Sequence, residues 1–103
     1  HLQVIAAFTA CGWDAPVRWY RDTPYIIRDP AAARAAAVPA QGREVAEIIS
    51  EDFLEKKIAA CTAYATQIGF QFGGADGVRE KLTALAKSAA AAMGLAGFAE
   101  RFW

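Results

Sequence analysis

The sequence predicts a mixed α/β fold, and two features of its pattern indicate this class. Apolar residues recur at helical spacing near both ends of the chain. Short runs rich in β-branched and aromatic residues, which are typical of strands, lie between them. The predicted order is helix, strand, strand, short helix, strand, helix, helix, which provides too few strands for a complete doubly wound sheet. We therefore expect short strands followed by two longer C-terminal helices.

The first half of the chain alternates short helices with strands. Apolar residues in 2–11 fall on one helical face, and Gly12 is a suitable residue to end that helix. Residues 17–20 are β-branched and aromatic and are expected to form a strand. An Asp-Thr-Pro turn at 22–24 separates it from a second extended piece at 25–28.

A short helix and a third strand are expected next. Asp29 can cap a helix that has Pro30 at its first position and continues over 31–37. A loop follows at 39–42. Charged and apolar residues then alternate over 43–49, which predicts a strand.

A long helix is expected from the N-cap Ser50 to about Ile68, because two acidic residues follow the cap. Its apolar stripe has the spacing 4-3-4-3 and consists of Leu54, Ile58, Cys61, Ala65 and Ile68. A glycine-rich loop carrying Phe70 and Phe72 is expected to end it.

Asp76 is then expected to cap a last helix over 78–93. The apolar face of that helix consists of Leu82, Leu85 and Ala89. The aromatic tail at 98–103 is expected to pack onto the rest of the chain.

Length, charge and cysteine content exclude several protein classes. The 103 residues are 55% hydrophobic and 21% charged, so we expect a folded single segment, 1–103. Eleven basic residues balance eleven acidic ones, which argues against nucleic-acid binding. No apolar run reaches the ~20 residues of a membrane span, and no signal peptide is visible. Cys11 and Cys61 are expected to be buried free thiols, and these features together predict a cytoplasmic protein without membrane contact.

Side chains suited to catalysis are few. The single histidine is His1, which by itself suggests a tag remnant or a cut edge of a longer protein. The chain contains no G-x-S-x-G, P-loop, G-x-G-x-x-G or C-x-x-C motif. Asp22 and Asp29 have the positions of turn formers. The residues alone therefore indicate an α/β segment without a complete active site.

Several other side chains have both a structural and a functional interpretation. Tyr64 and Gln67 lie off the apolar stripe, either as functional groups or as ordinary surface residues. Phe70 and Phe72 are expected in the core rather than stacked on a ligand.

Four segments, in order, resemble the PIG-L (LmbE-like) family of de-N-acetylases. Residues 19–25, WYRDTPY, are similar to its Y-x-D-x-P-Y segment. Residues 55–67, EKKIAACTAYATQ, are similar to its K-x-A-A-x-x-A-Y-x-S-Q helix, with Thr66 in place of the usual serine. Residues 70–74, FQFGG, and 99–103, AERFW, resemble C-terminal features of some members.

The resemblance implies the C-terminal part of a Rossmann-like fold that holds a catalytic zinc. His1 would correspond to the second histidine of the family's H-x-D-H motif and would be the third zinc ligand. The A-H-P-D-D-E motif, which supplies the other ligands and the general base, is absent from this sequence. The resemblance therefore implies an incomplete domain that is inactive alone and is completed by an N-terminal half or a second chain, with a homo-oligomer also possible.

The activity implied by the resemblance is removal of an acetyl or other acyl group from an N-acetylglucosamine-type conjugate. Zinc would lower the pKa of its bound water and polarise the acyl carbonyl. Arg21, Asp22 and Tyr25 would form part of the wall that binds the small amino-sugar substrate. Alternative readings are a split enzyme or a truncated sequence, a non-catalytic α/β packing or oligomerisation module, and an unrelated small helical binding domain.

Overall fold

The computed structural model describes residues 2–20, 23–29, 31 and 43–103. Five helices and two strands are defined: α1 (Leu2–Ala10), α2 (Tyr25–Arg28), β1 (Val45–Ile49), α3 (Glu51–Thr62), α4 (Ala65–Phe72), α5 (Ala75–Ala92) and β2 (Phe98–Phe102). The expected mixture of helices and short strands is thus present, and the strands form an antiparallel sheet. The helix expected after Asp29 and the loop at 39–42 lie outside the described residues, except for Ala31.

The small sheet joins the middle of the chain to its C-terminal end. β1 pairs with β2 from Val45 opposite Phe102 to Ile49 opposite Phe98. This confirms the strand predicted at 43–49, and the aromatic tail is itself a strand. The strand expected at 17–20 is reduced to one bridge between Tyr20 and Phe102.

Residues 25–28 form a helical turn, so the prediction of a strand there is wrong. The backbone N–H groups of Ile27 and Arg28 both donate to the Pro24 carbonyl oxygen, at 3.0 and 3.1 Å. This turn buries Ile26. Burial of one side chain has therefore overridden the strand preference of the β-branched residues.

The predicted single helix over residues 51–68 is instead two helices. Ser50 caps α3 as expected, because its Oγ accepts a hydrogen bond from the Phe53 N–H at 3.1 Å. Helix α3 ends at Thr62, and α4 extends over the stretch expected to be a loop. The change of direction buries Phe72 but leaves Phe70 exposed, so the expectation of a core position is correct only for Phe72.

Helix α5 forms one wall of the core. It begins at Ala75, so Asp76 lies in its first turn rather than at its cap. Its buried face packs against α3 and against Phe72 of α4, and the buried core cluster consists of Leu54, Ile58, Phe72, Val78, Leu82 and Ala86. A second small cluster joins the end of α5 to β2 through Ala89, Ala90 and Ala99.

Gly77 occupies a position in α5 where a side chain has no room. A Cβ atom there would overlap the carbonyl oxygen of Phe72 and lie 2.9 Å from its carbonyl carbon. Gly69 in α4 has nothing within 4 Å of the same hypothetical atom. Close approach of the α4 carboxyl end to α5 therefore explains Gly77 but not Gly69.

Helix α1 confirms the prediction for the first residues, and Gly12 follows it with a φ of 65°. It contacts the next segment through Phe8, whose ring lies 5.4 Å edge-on from that of Trp19. Cys11 is exposed, which contradicts the expected burial, while Cys61 is half-buried, and both are free thiols. No helix within the described ranges is long and apolar enough to cross a membrane.

Candidate functional site

A cavity of about 120 Å³ lies between the sheet and helices α3 and α5. Both apolar and polar side chains line it. The lining includes Tyr20, Thr23, Lys57, Glu100, Arg101 and Phe102 around apolar residues of both helices. A mainly apolar lining with a few polar groups is typical of small-molecule sites, whereas the volume is below the ~300–1,000 Å³ usual for them.

Lys57 and Glu100 form an ion pair in the cavity wall. Lys57 belongs to α3, and Glu100 is the central residue of β2. The two side chains are 34% and 26% exposed. Partial burial strengthens the attraction beyond that of a surface pair, and the pair offers both donors and an acceptor to a ligand.

A second carboxylate lies across the sheet from Glu100. Glu47 in β1 is the residue directly opposite it in the antiparallel register. Like charges in such a position repel. Each carboxylate has its own cation, because Arg18 pairs with Glu47 and Lys57 pairs with Glu100. Removal of either cation would leave the two carboxylates opposed.

Arg101 contributes a largely buried guanidinium to the same region. It forms an ion pair with the Glu44 carboxylate. The geometry of this contact at the Glu44 Oε1 atom is not that of a hydrogen bond. Its guanidinium carbon also lies 5.8 Å from the ring centre of Trp103. The buried Nε of Arg101 has no hydrogen-bond partner among the described residues.

Tyr20 stands at the mouth of the cavity with most of its ring exposed. Its backbone is held by neighbouring hydrogen bonds, since Trp19 and Trp103 exchange N–H to carbonyl bonds of 2.8 and 3.0 Å. The ring is therefore an exposed aromatic surface on an ordered backbone. Such a surface is suited to stacking on a flat or apolar ligand face.

Of the four site residues predicted from the sequence, His1, Arg21 and Asp22 lie outside the described residues. Tyr25 is the first residue of α2 and is about half exposed. It is not among the residues that line the cavity, although Thr23, two positions earlier, is.

The other side chains considered in the sequence lie away from the cavity. Asp29 is the C-cap residue of α2, and its backbone N–H donates to the Tyr25 carbonyl oxygen. Tyr64 and Gln67 are exposed at and near the start of α4. Arg28 stacks on the exposed ring of Phe70, with its guanidinium carbon 4.7 Å from the ring centre.

Sequence reasoning missed Lys57 and Glu100 as a functional pair. They are 43 positions apart, so helical and strand periodicity cannot connect them. The sequence of β2, FAERF, does not alternate apolar and charged residues, so it carries no local signal that marks Glu100. The tail was instead treated as an aromatic segment that packs onto the core.

An ion pair outside the cavity links helix α3 to helix α5. Arg79 of α5 donates two hydrogen bonds to Glu55 of α3, one of them 2.7 Å long. These bonds lower the pKa of the Glu55 carboxyl below its ordinary value and raise the pKa of Arg79. Both groups are exposed, so this pair ties α3 to α5 rather than serving acid–base chemistry.

Within the described ranges, no three His, Cys, Asp or Glu side chains come together in a way that could hold a metal ion. These residues therefore do not fit a complete zinc site.

Comparisons with protein-family models, curated proteins and solved structures find no match to this chain.

Proposed function

We propose that this chain is the C-terminal part of a zinc-dependent, Rossmann-like N-deacylase of the PIG-L type, which acts on an N-acetylglucosamine-type conjugate. In this proposal the chain is inactive alone. It supplies one metal ligand, His1, and part of the substrate wall, and an N-terminal half or a second chain supplies the remaining ligands and the general base.

The observation that carries the proposal is the meeting of three family-like segments around one cavity. Tyr20 and Thr23 come from the segment 19–25, Lys57 comes from the segment 55–67, and residues 99–102 come from the last segment. Segments that are distant in sequence but share a cavity are expected of a binding site. The fourth segment, 70–74, contributes Phe72 to the core beneath it.

The cavity residues have chemistry suited to a neutral hydroxylated ring. The exposed ring of Tyr20 offers an apolar face to the C–H side of a sugar. Lys57 donates and Glu100 accepts hydrogen bonds, and their charges balance. Arg21, Asp22 and Tyr25 are the further wall residues that the family resemblance implies.

The proposal is tested by amine release from an N-acetylglucosamine conjugate. The chain is purified together with any polypeptide that accompanies it, and His1→Ala is compared with Gln3→Ala. The first variant is expected to lose bound zinc and activity, whereas the second, on exposed α1 surface, is expected to keep both. The proposal would be contradicted if the His1→Ala variant kept its activity, or if the native complex had no deacylase activity.

The role of the cavity is tested with a matched pair of tyrosines. Tyr20 and Tyr64 are 69% and 70% exposed, but only Tyr20 lines the cavity. We expect Tyr20→Ala to raise KM for the conjugate about fivefold, because loss of aromatic stacking costs about 1 kcal/mol. Tyr64→Ala is expected to leave KM unchanged, and equal effects would refute the assignment.

The alternative is a non-catalytic packing or oligomerisation module. It is favoured by α1, a helix without a charged residue whose surface is largely exposed in this chain. Zinc-free, inactive protein in a stable complex would support this second function.

A further inference from the structure

The outer edge of β1 carries backbone groups that no described residue uses. Trp103 directs its N–H and carbonyl toward Trp19, so Phe102 directs its own groups the opposite way, toward Val45. By alternation, Ala46 and Ile48 direct their N–H and carbonyl groups away from β2, to the side of β1 where no described strand lies. An exposed strand edge of this kind is a template for another strand.

The side chains along this edge are charged and apolar in alternation. Arg43, Val45 and Glu47 share one face of the strand. All three are exposed; Glu47 is paired with Arg18, whereas Arg43 forms no ion pair with a described residue. Ile48 is exposed from the opposite face. A partner strand would therefore meet the cation Arg43, the anion Glu47 and, between them, the apolar side chain of Val45.

We infer that β1 pairs antiparallel with β1 of a second copy of this chain, with the two-fold axis at Val45. In this register Arg43 lies opposite Glu47 of the partner subunit, and symmetry repeats the pair. The two valines meet at the axis as a closely spaced, non-hydrogen-bonded pair. The outward backbone groups of Ala46 then bond across to Glu44 of the partner subunit, which completes the ladder.

Neighbouring registers lack this complementarity. An axis at Ala46 places Val45 opposite a carboxylate and leaves the charges unmatched. An axis at Glu47 sets two carboxylates against each other, which is unfavourable. Because the strand contains both halves of the matching pattern, a second copy is the occupant that fits it. The pairing would also convert a two-stranded sheet into a four-stranded one, a size with independent stability.

The test is the oligomeric state of the full chain, measured by sedimentation velocity over a concentration series. Arg43→Glu and Glu47→Arg are each expected to weaken the dimer about tenfold, and the double variant is expected to restore it. Lys56→Glu is the control for Arg43→Glu, because it makes the same change in net charge on exposed α3 surface. It is expected to leave the dimer unchanged.

Three results would overturn the inference. These are a monomer at every concentration up to about 1 mM, a dimer that is insensitive to both single variants, and equal weakening by Lys56→Glu. Ala46→Pro provides an independent check, because it removes an outward N–H while leaving the bonds to β2 in place. Edge pairing is supported if the Ala46→Pro variant has the circular dichroism spectrum of the wild type, and is therefore folded, but no longer dimerises. A folded Ala46→Pro variant that still dimerises contradicts it.

Discussion

Gly77 and Gly69 form a matched test of how α4 packs against α5. Both are helical glycines, and replacing glycine by alanine within a helix stabilises it by about 1 kcal/mol. At Gly69 the added methyl meets nothing within 4 Å, so Gly69→Ala should be stabilising by about that amount. At Gly77 the methyl would overlap the Phe72 carbonyl oxygen. The two substitutions are therefore expected to have opposite signs.

The cost at Gly77 follows from what must move. The Phe72 carbonyl oxygen accepts a 2.8 Å hydrogen bond from the Lys81 Nζ, and Phe72 itself is in the core. Displacement of this group resembles overpacking, which costs about 1–3 kcal/mol. Steric overlap with backbone is at the upper end of that range, so a net loss of about 1–2 kcal/mol remains after the helical gain.

Thermal and urea unfolding of both variants measure the difference. For a domain of this size, 1 kcal/mol moves Tm by about 4–8 °C. We expect Tm to fall in Gly77→Ala and to rise by roughly 4–8 °C in Gly69→Ala. Stabilisation by Gly77→Ala would refute the proposed close approach of α4 to α5.

Three further predictions concern polar contacts. Lys57→Met should destabilise the chain by about 1–2 kcal/mol, a value between those for exposed and for buried ion pairs. A double-mutant cycle with Glu100→Gln should show that the two losses are coupled, and additive losses would contradict the ion pair. Arg79→Ala should be destabilising at neutral pH because Glu55 has a lowered pKa in the folded state. That loss should disappear as the pH falls through the folded pKa, below the ordinary value of 4.5, and urea unfolding at several pH values checks this. Ser50→Ala should cost about 1 kcal/mol through loss of the α3 cap, whereas an unchanged urea midpoint would argue against the cap.

Local signals predicted much of the fold. The alternation over 43–49 correctly indicated β1, and Ser50 followed by acidic residues correctly indicated the start of α3. The helical turn at 25–28 could not be predicted, because burial of Ile26 depends on the tertiary structure. The break at Tyr64 was missed for a similar reason, since the apolar period continues through it.

The candidate site was less accessible to sequence reasoning than the fold. The ion pair of Lys57 with Glu100 depends on the packing of α3 against the sheet, and neither residue has a distinctive local context. Tyr20 lay within a family-like segment, but its position at the cavity mouth follows from the bridge to Phe102. Long-range pairing of β1 and of Tyr20 with the C-terminal strand thus creates the site.

Native and denaturing mass spectrometry of the protein purified from its natural source, with elemental analysis for zinc, tests the deacylase proposal most directly. The proposal predicts a complex that contains this 11.0 kDa chain, a larger polypeptide or N-terminal half, and about one zinc ion per complex. A metal-free 11.0 kDa species, alone or as a homo-oligomer, would contradict the proposed contribution to a zinc enzyme and support the packing module.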